Sequence, residues 1–475
     1  MTKFFGVLLA AALLFWMATA LFSGAADAAS GTGTPGTAPG SADAISSAPG
    51  AVSKEAPGGE HSGEGGGSAA PRLSRSGVRL HIFKDGEMDF QLLRSFGADF
   101  YGGGTPGEIL LAAEDIADGD PASWQASFAT LGARLEADGE SRLAKGNRIS
   151  ARDSFFRAAS YYRAAEYYGD QLDEATRALG MSCRETFLKA LKLSGWYVED
   201  LRIPFGDGFL PGYFIRSGAP GERRRTLLAQ SGFDGTAEEM FFAAGRAALE
   251  RGYNVLLFEG PGQAGLRRFV PGSTFVPDLG PVGRTLLDTV RARSDVDGTQ
   301  VILYGASFGG YFALSAALGE PRLAAVIANS PLLDMNAYAV ATMGEQVAAQ
   351  FEANDLSVED LKALPPEAMP PKYRLSLLNL CLRFGEPSVK TMLHRLKDFH
   401  ISPEQLATLS MPALGMVSAG EGAIPLEQSR AFAAAAPKAT LHVFERESGA
   451  NAHCQLDNPP LSAAVLFDWL DEQLR

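Results

Sequence analysis

Residues 305–309 read Gly-Ala-Ser-Phe-Gly and place a serine between two glycines. An apolar run, residues 301–304, precedes them, and an apolar stretch with helical character follows from residue 310. When a strand turns sharply into a helix, the residue at the turn is strained and its side chain is exposed, and flanking glycines let the two elements approach. The pattern therefore predicts that Ser307 is a nucleophile, against the alternative of an incidental turn.

A serine hydroxyl is a weak nucleophile at neutral pH, so it needs a base, and the base needs an acid to orient it. Where a nucleophilic serine lies at such a strand-to-helix turn, the acid and the base both follow it in the chain, each at the end of a later strand. The chain has six histidines. Only His453 lies in a loop of small residues between the last predicted strand and the final helix. We therefore expect His453 to be the base.

The acid is expected directly after the predicted strand at residues 413–417. Glu421 lies there, four residues before Pro425. A glutamate carboxylate can accept the imidazole N–H, and we predict that Glu421 has this role. Two alternatives stay open: Glu421 is a solvated loop residue, or Asp334, just after the preceding strand, is the acid instead.

Acyl transfer also needs two backbone N–H groups that stabilise the oxyanion. Phe308 follows the nucleophile and is expected to provide one. Phe233, in the glycine-containing loop at residues 231–236, is our candidate for the other. A further loop, residues 259–263, has neither the lysine nor the spacing of a phosphate-binding loop. Its glycines are instead expected to permit close packing beside the Ser307 site.

The elements that would position these residues alternate between strand and helix. After a predicted hairpin at residues 198–215, short apolar runs separated by helices indicate a mostly parallel sheet covered on both faces, an α/β fold. We assign residues 72–195 to an N-terminal helical region, and residues 196–331 and 411–475 to the core. Residues 332–410 are too long for a simple crossover and are expected to form an inserted helical cap.

Composition limits the remaining classes of function. The 475 residues carry a formal net charge of −13. Because the nucleic-acid backbone is also negatively charged, we do not expect the chain to bind nucleic acid. Its three cysteines are widely spaced and form no CxxC pair, so they indicate neither a disulfide framework nor a zinc site. The cysteines therefore predict no metal site.

The N-terminus has the composition of an export signal. Lys3 precedes an apolar stretch at residues 4–22 and an Ala-x-Ala pattern at residues 26–28. Residues 1–28 are predicted to be a secretory signal peptide, with an uncleaved membrane anchor as the alternative. Residues 29–71 are rich in Gly, Ser and Pro and are expected to be a disordered linker. The protein is thus expected outside the cytoplasm, periplasmic or secreted, with a membrane tether left open.

Taken together, several segments resemble one branch of the α/β-hydrolase superfamily, that of dihydroxypseudooxynicotine hydrolase and the fungal polyketide-shortening hydrolases. The resemblance is carried by residues 231–240, 251–255, 259–263 and 452–455, and by the helical stretch at residues 157–166 ahead of residues 210–214. It implies an α/β-hydrolase fold, a triad of Ser307, Glu421 and His453, no cofactor, and hydrolysis of an acyl bond. The chain departs from the branch at Glu421 and Glu259, where aspartate is commoner.

The principal hypothesis is a serine hydrolase that acts on a small acyl substrate, either an ester or a carbon–carbon bond next to a ketone. An exported acyl-peptide hydrolase or oligopeptidase is an alternative, although residues 72–195 lack the blade repeats of a propeller. A non-catalytic binding module on a hydrolase scaffold is the third hypothesis. The sequence leaves a homodimer open.

Overall fold

The computed structural model describes residues 73–170 and 172–475. The predicted signal peptide and the whole of the predicted linker lie outside the described residues. Within them, no helix is both long and apolar enough to cross a membrane.

Within the described residues, five α-helices precede the sheet: α1 Gly86–Gly97, α2 Pro106–Glu114, α3 Pro121–Ala144, α4 Arg148–Tyr167 and α5 Glu174–Leu193. Local sequence sets their starts: Asp120, for example, accepts the N–H groups of Ala122 and Ser123 at the N-terminus of α3. Aromatic residues fill the space between α3 and α4, where the indole N–H of Trp124 donates to the Ala164 carbonyl at 2.8 Å.

Eight strands form one sheet: β1 Tyr197–Phe205, β2 Gly208–Arg216, β3 Arg224–Gln230, β4 Asn254–Phe258, β5 Val296–Ala306, β6 Ala325–Asn329, β7 Ala413–Ser418 and β8 Ala439–Phe444. Their order is β1-β2-β4-β3-β5-β6-β7-β8. The hairpin of β1 and β2 is antiparallel, and β2 also pairs antiparallel with β4. All later pairs are parallel. The prediction of a mostly parallel α/β sheet that opens with a hairpin is confirmed.

Both faces of the sheet are covered, as the continuous apolar strands require. In β4, Leu256 and Phe258 face one layer, and Val255 and Leu257 face the other. The helices that cover the core are α6 Ala237–Met240, α7 Arg246–Glu250, α8 Ala264–Phe269, α9 Gly280–Arg291, α10 Phe308–Gly319, α17 Ala423–Ala435 and α18 Pro459–Gln473. Helices α4 and α5 pack in the same layer as α18, so the N-terminal region is part of the core packing.

Six helices lie between β6 and β7, in the interval expected to form a cap: α11 Met335–Met343, α12 Glu345–Ala353, α13 Val358–Ala363, α14 Pro371–Phe384, α15 Val389–Leu396 and α16 Pro403–Leu406. Their apolar residues join the hydrophobic layer that contains Phe308 and Phe312 of α10. The cap therefore packs directly on the helix that follows the predicted nucleophile.

Close packing of α3 on α4 leads to the first prediction. A methyl group at Gly139 would lie 2.6 Å from the ring of Phe155. We expect Gly139→Leu to lower the free energy of unfolding by about 2 kcal/mol because the interface becomes overpacked. The control is Gly107→Leu, in the exposed first turn of α2, where nothing lies within 4 Å of an added methyl. Leucine is a better helix former than glycine at both positions, so helix propensity cannot account for a loss at Gly139, and equal stabilities in urea unfolding would contradict the prediction.

Candidate active site

Ser307 lies at a sharp turn between β5 and α10, with φ 62° and ψ −130°, a conformation that L-residues rarely adopt. The turn requires glycine at two neighbouring positions. A methyl group at Gly305 would lie 1.8 Å from the Gly309 carbonyl oxygen, and one at Gly310 would lie 1.9 Å from the Ser330 carbonyl oxygen. The Ser307 side chain is left partly exposed at the carboxyl edge of the sheet.

The imidazole of His453 contacts the serine and the glutamate. Its Nε2 lies 2.8 Å from the Ser307 Oγ, and its Nδ1 lies 2.5 Å from the Glu421 Oε2. His453 is 2% exposed and Glu421 is fully buried. The structure thus brings together the three side chains that the sequence singled out, although they come from three separate loops.

Glu421 is held in place by two neighbours as well as by the histidine. The hydroxyl of Ser330 donates to its carboxylate, at 3.0 Å from Oε1 and 2.9 Å from Oε2. The Ser418 N–H donates to Oε1 at 3.0 Å. Asp334, the alternative acid, instead accepts the Ala337 N–H at 2.8 Å and caps α11. The geometry therefore favours Glu421.

A short segment before α1 binds the loops that carry the acid and the histidine. The His453 N–H donates to the Arg75 carbonyl at 2.8 Å, and the Ser74 N–H donates to the Glu421 carbonyl at 2.8 Å. Ser76 forms an antiparallel bridge with Ala452. Sequence patterns gave no sign of these contacts, because residues 74–76 lie far along the chain from both loops.

The two residues proposed as oxyanion donors lie on adjoining loops. A methyl group at Gly232 would lie 2.5 Å from the Phe308 nitrogen and 2.8 Å from the Ser307 Cβ, so the loop after β3 packs against the serine turn. Within residues 73–170 and 172–475, neither the Phe233 N–H nor the Phe308 N–H donates a hydrogen bond to another protein group. Both donors are therefore available to a bound oxygen.

The loop at residues 259–263 supports the loop after β3. The Gln263 side-chain amide donates to the Ser231 carbonyl at 2.6 Å, and its Oε1 accepts the Gly260 N–H at 2.6 Å. The carboxylate of Glu259 accepts the Ala237 N–H at 2.6 Å and the Gly265 N–H at 2.9 Å. Burial, together with the nearby charge of Glu238, raises the pKa of Glu259 to about 7.

Arginines of the N-terminal region form ion pairs with the loop after β3. Arg94 lies 3.1 Å from the carboxylate of Asp234, and Arg75 lies 3.7 Å from it. Burial alone would raise the pKa of Asp234, but these guanidinium groups outweigh burial and hold that pKa well below its usual value. Asp234 directly follows Phe233, so this ion pair positions a candidate oxyanion donor. The Arg94–Asp234 pair was not anticipated, because nothing in the local sequence links α1 to this loop.

The other histidines of the described residues and the three cysteines lie outside the hydrogen bonds that join Ser307, His453 and Glu421. His394 pairs with Glu352 in the cap at 2.9 Å, and His442 lies within β8 against Phe444. Cys183, Cys381 and Cys454 are buried and free. The described part of the chain contains no group of three or more His, Cys, Asp or Glu residues arranged to hold a metal ion.

Comparison with known proteins gives consistent results. A family model for esterases matches residues 281–368. Hydrolase ORFZ of Pyricularia oryzae is 31% identical over 353 residues, which is 70% of this chain and 82% of the relative. The 20-hydroxy-prefusarin hydrolase FUS2 of Gibberella moniliformis is 33% identical over 265 residues, 54% of this chain and 62% of that protein.

A solved structure shows the same fold. The crystal structure of the 2,6-dihydroxy-pseudo-oxynicotine hydrolase matches with a TM-score of 0.61, at 19% identity, over 80% of this chain and 95% of that one. Together with the mostly parallel sheet, these similarities show that the chain is a hydrolase. It belongs to the α/β-hydrolase superfamily, in the branch that contains these fungal hydrolases.

Proposed function

We propose that the protein is a serine hydrolase that cleaves an acyl bond of a small molecule, either an ester or a carbon–carbon bond next to a ketone, through an acyl-enzyme. One observation carries the proposal. His453 lies 2.8 Å from the Ser307 Oγ through one ring nitrogen and 2.5 Å from the Glu421 carboxylate through the other. This is the arrangement that activates a serine hydroxyl.

In the proposed mechanism, the Ser307 Oγ attacks the substrate carbonyl carbon while His453 Nε2 accepts the hydroxyl proton. The N–H groups of Phe233 and Phe308 stabilise the resulting oxyanion. The intermediate then collapses to an acyl-serine, and His453 returns the proton to the leaving group, which is an alcohol oxygen or the carbon next to a ketone. Water, activated by His453, hydrolyses the acyl-serine in the same way. Glu421 keeps the imidazole oriented throughout.

Labelling tests the nucleophile directly. A fluorophosphonate probe is expected to label the wild-type protein but not Ser307→Ala, because the variant lacks the oxygen that attacks phosphorus. Hydrolysis of aryl esters is expected to fall by several orders of magnitude in the same variant. Ser376→Ala, an exposed serine of α14, is the matched control and retains labelling. Persistent labelling of Ser307→Ala would reject the proposal.

The identity of the acid is tested by two amide substitutions. Glu421→Gln is expected to lower kcat by about 10³- to 10⁴-fold, because an amide no longer stabilises the imidazolium or fixes its tautomer. Asp334→Asn is the control: asparagine still caps α11, so activity is expected to stay within about twofold of wild type. The reverse pattern of losses would assign the acid to Asp334.

The ion pair behind the oxyanion loop gives a third test. Arg94→Met removes the main support of Asp234 and is expected to lower kcat by about 10- to 100-fold with little change in KM, because a displaced oxyanion donor acts on the transition state. Arg142→Met, an exposed arginine paired with Asp138 in α3, is the control. If instead kcat is retained in Arg94→Met, the pair does not position the loop.

A further inference from the structure

Arg383, near the end of the cap helix α14, lies beside the candidate oxyanion loop. It is 3% exposed, and its Nη1 donates to the Phe233 carbonyl. Its guanidinium carbon lies 4.7 Å from the centroid of the Phe233 ring and 5.5 Å from that of Phe275. The next residue, Phe384, has its ring 6.0 Å from the ring of Phe308. The C-terminal turn of α14 therefore lies beside both residues that we propose as oxyanion donors.

The other edge of this guanidinium makes no hydrogen bond within the described residues. Nε and Nη2 of Arg383 are shielded from solvent and have no hydrogen-bond partner among the described residues. These two nitrogens form the fork that binds both oxygens of a carboxylate. Arg268 uses the same edge for Glu166, at 2.9 and 2.6 Å, and Arg94 uses it for Glu239. Arg383 has the same fork without a carboxylate in it.

A second buried arginine lies close by, and none of the described carboxylates forms an ion pair with it. Arg267, 5% exposed, donates through Nη1 to the carbonyls of Ser273 and Leu382, and its Nε is unpartnered in the described part of the chain. Burial, followed by repulsion from Arg267, lowers the pKa of Arg383 to about 10. Buried charges are costly unless they are paired. We therefore expect a bound anion to stabilise these two arginines.

We propose that Arg383, assisted by the charge of Arg267, binds a carboxylate group that the acyl substrate carries apart from the bond to be cleaved. This inference rests on the proposed function and specifies its substrate class: anionic acyl compounds. Because both nitrogens of the fork are shielded from solvent, the substrate reaches it only when neighbouring side chains or α14 move. The bidentate fork then selects a planar carboxylate over its neutral ester.

The test uses pairs of aryl acetates that differ only in a ring carboxylate or its methyl ester: the 3- and 4-acetoxybenzoates and their methyl esters. For at least one isomer, wild-type kcat/KM is expected to be about tenfold or more higher for the carboxylate, mainly through KM. In Arg383→Gln this preference is expected to disappear, because kcat/KM falls about tenfold or more further for the carboxylate than for its methyl ester. Arg383→Lys is expected to keep part of the preference. Arg395→Gln, a partly exposed cap arginine paired with Asp398, is the matched control and retains all of it.

Two outcomes would overturn the inference and leave the proposed function intact. One is a wild-type enzyme that hydrolyses both members of every pair equally well, a measurement that needs no variant to fold. The other is an equal loss on both substrates in Arg383→Gln, which would mean that Arg383 only supports the Phe233 loop. Failure of fluorophosphonate labelling in the wild type would instead refute the proposed function itself.

Discussion

The arrangement of this molecule depends on how one imidazole is held. His453 is fixed through its two ring nitrogens and also through its backbone N–H, which donates to the Arg75 carbonyl. The three partners come from different parts of the chain: the turn after β5, the loop after β7 and the segment before α1. A parallel sheet makes this meeting possible, because the carboxyl ends of its strands share one edge. Packing at that edge brings Ser330 under Glu421 as well.

The loop after β3, which carries the proposed oxyanion donor Phe233, shows a second level of support. Its backbone is close-packed on the serine turn at Gly232, hydrogen-bonded to Gln263 and tied through Asp234 to arginines of the N-terminal region. On its cap side the same loop contacts Arg383. Four separate segments thus determine where the Phe233 N–H lies. Catalytic donors gain most from such support when they are preorganised, since no reorganisation is then needed during the reaction.

Local patterns in the sequence were sufficient for the sheet and for the residues at its edge. Apolar runs bounded by turns identified the strands, and the glycines around Ser307 identified the sharp turn. His453 and Glu421 could be singled out because the fold places them after particular strands. The roles of three arginines could not be predicted in this way, since each contacts a loop more than a hundred residues away in the sequence: Arg75, Arg94 and Arg383. Their partners are chosen by packing, which no local pattern encodes. For the same reason the support of Glu421 by Ser330 was not visible.

The segment at residues 74–76 connects the N-terminal part of the chain to the loops of Glu421 and His453. It directly follows the long Gly-, Ser- and Pro-rich stretch, and its backbone bonds to the loops of the acid and the histidine. Only a few residues therefore separate the predicted linker from contacts with the proposed catalytic loops. A change within residues 74–76 is expected to alter the orientation of the His453 imidazole even though Ser307, Glu421 and His453 are all retained.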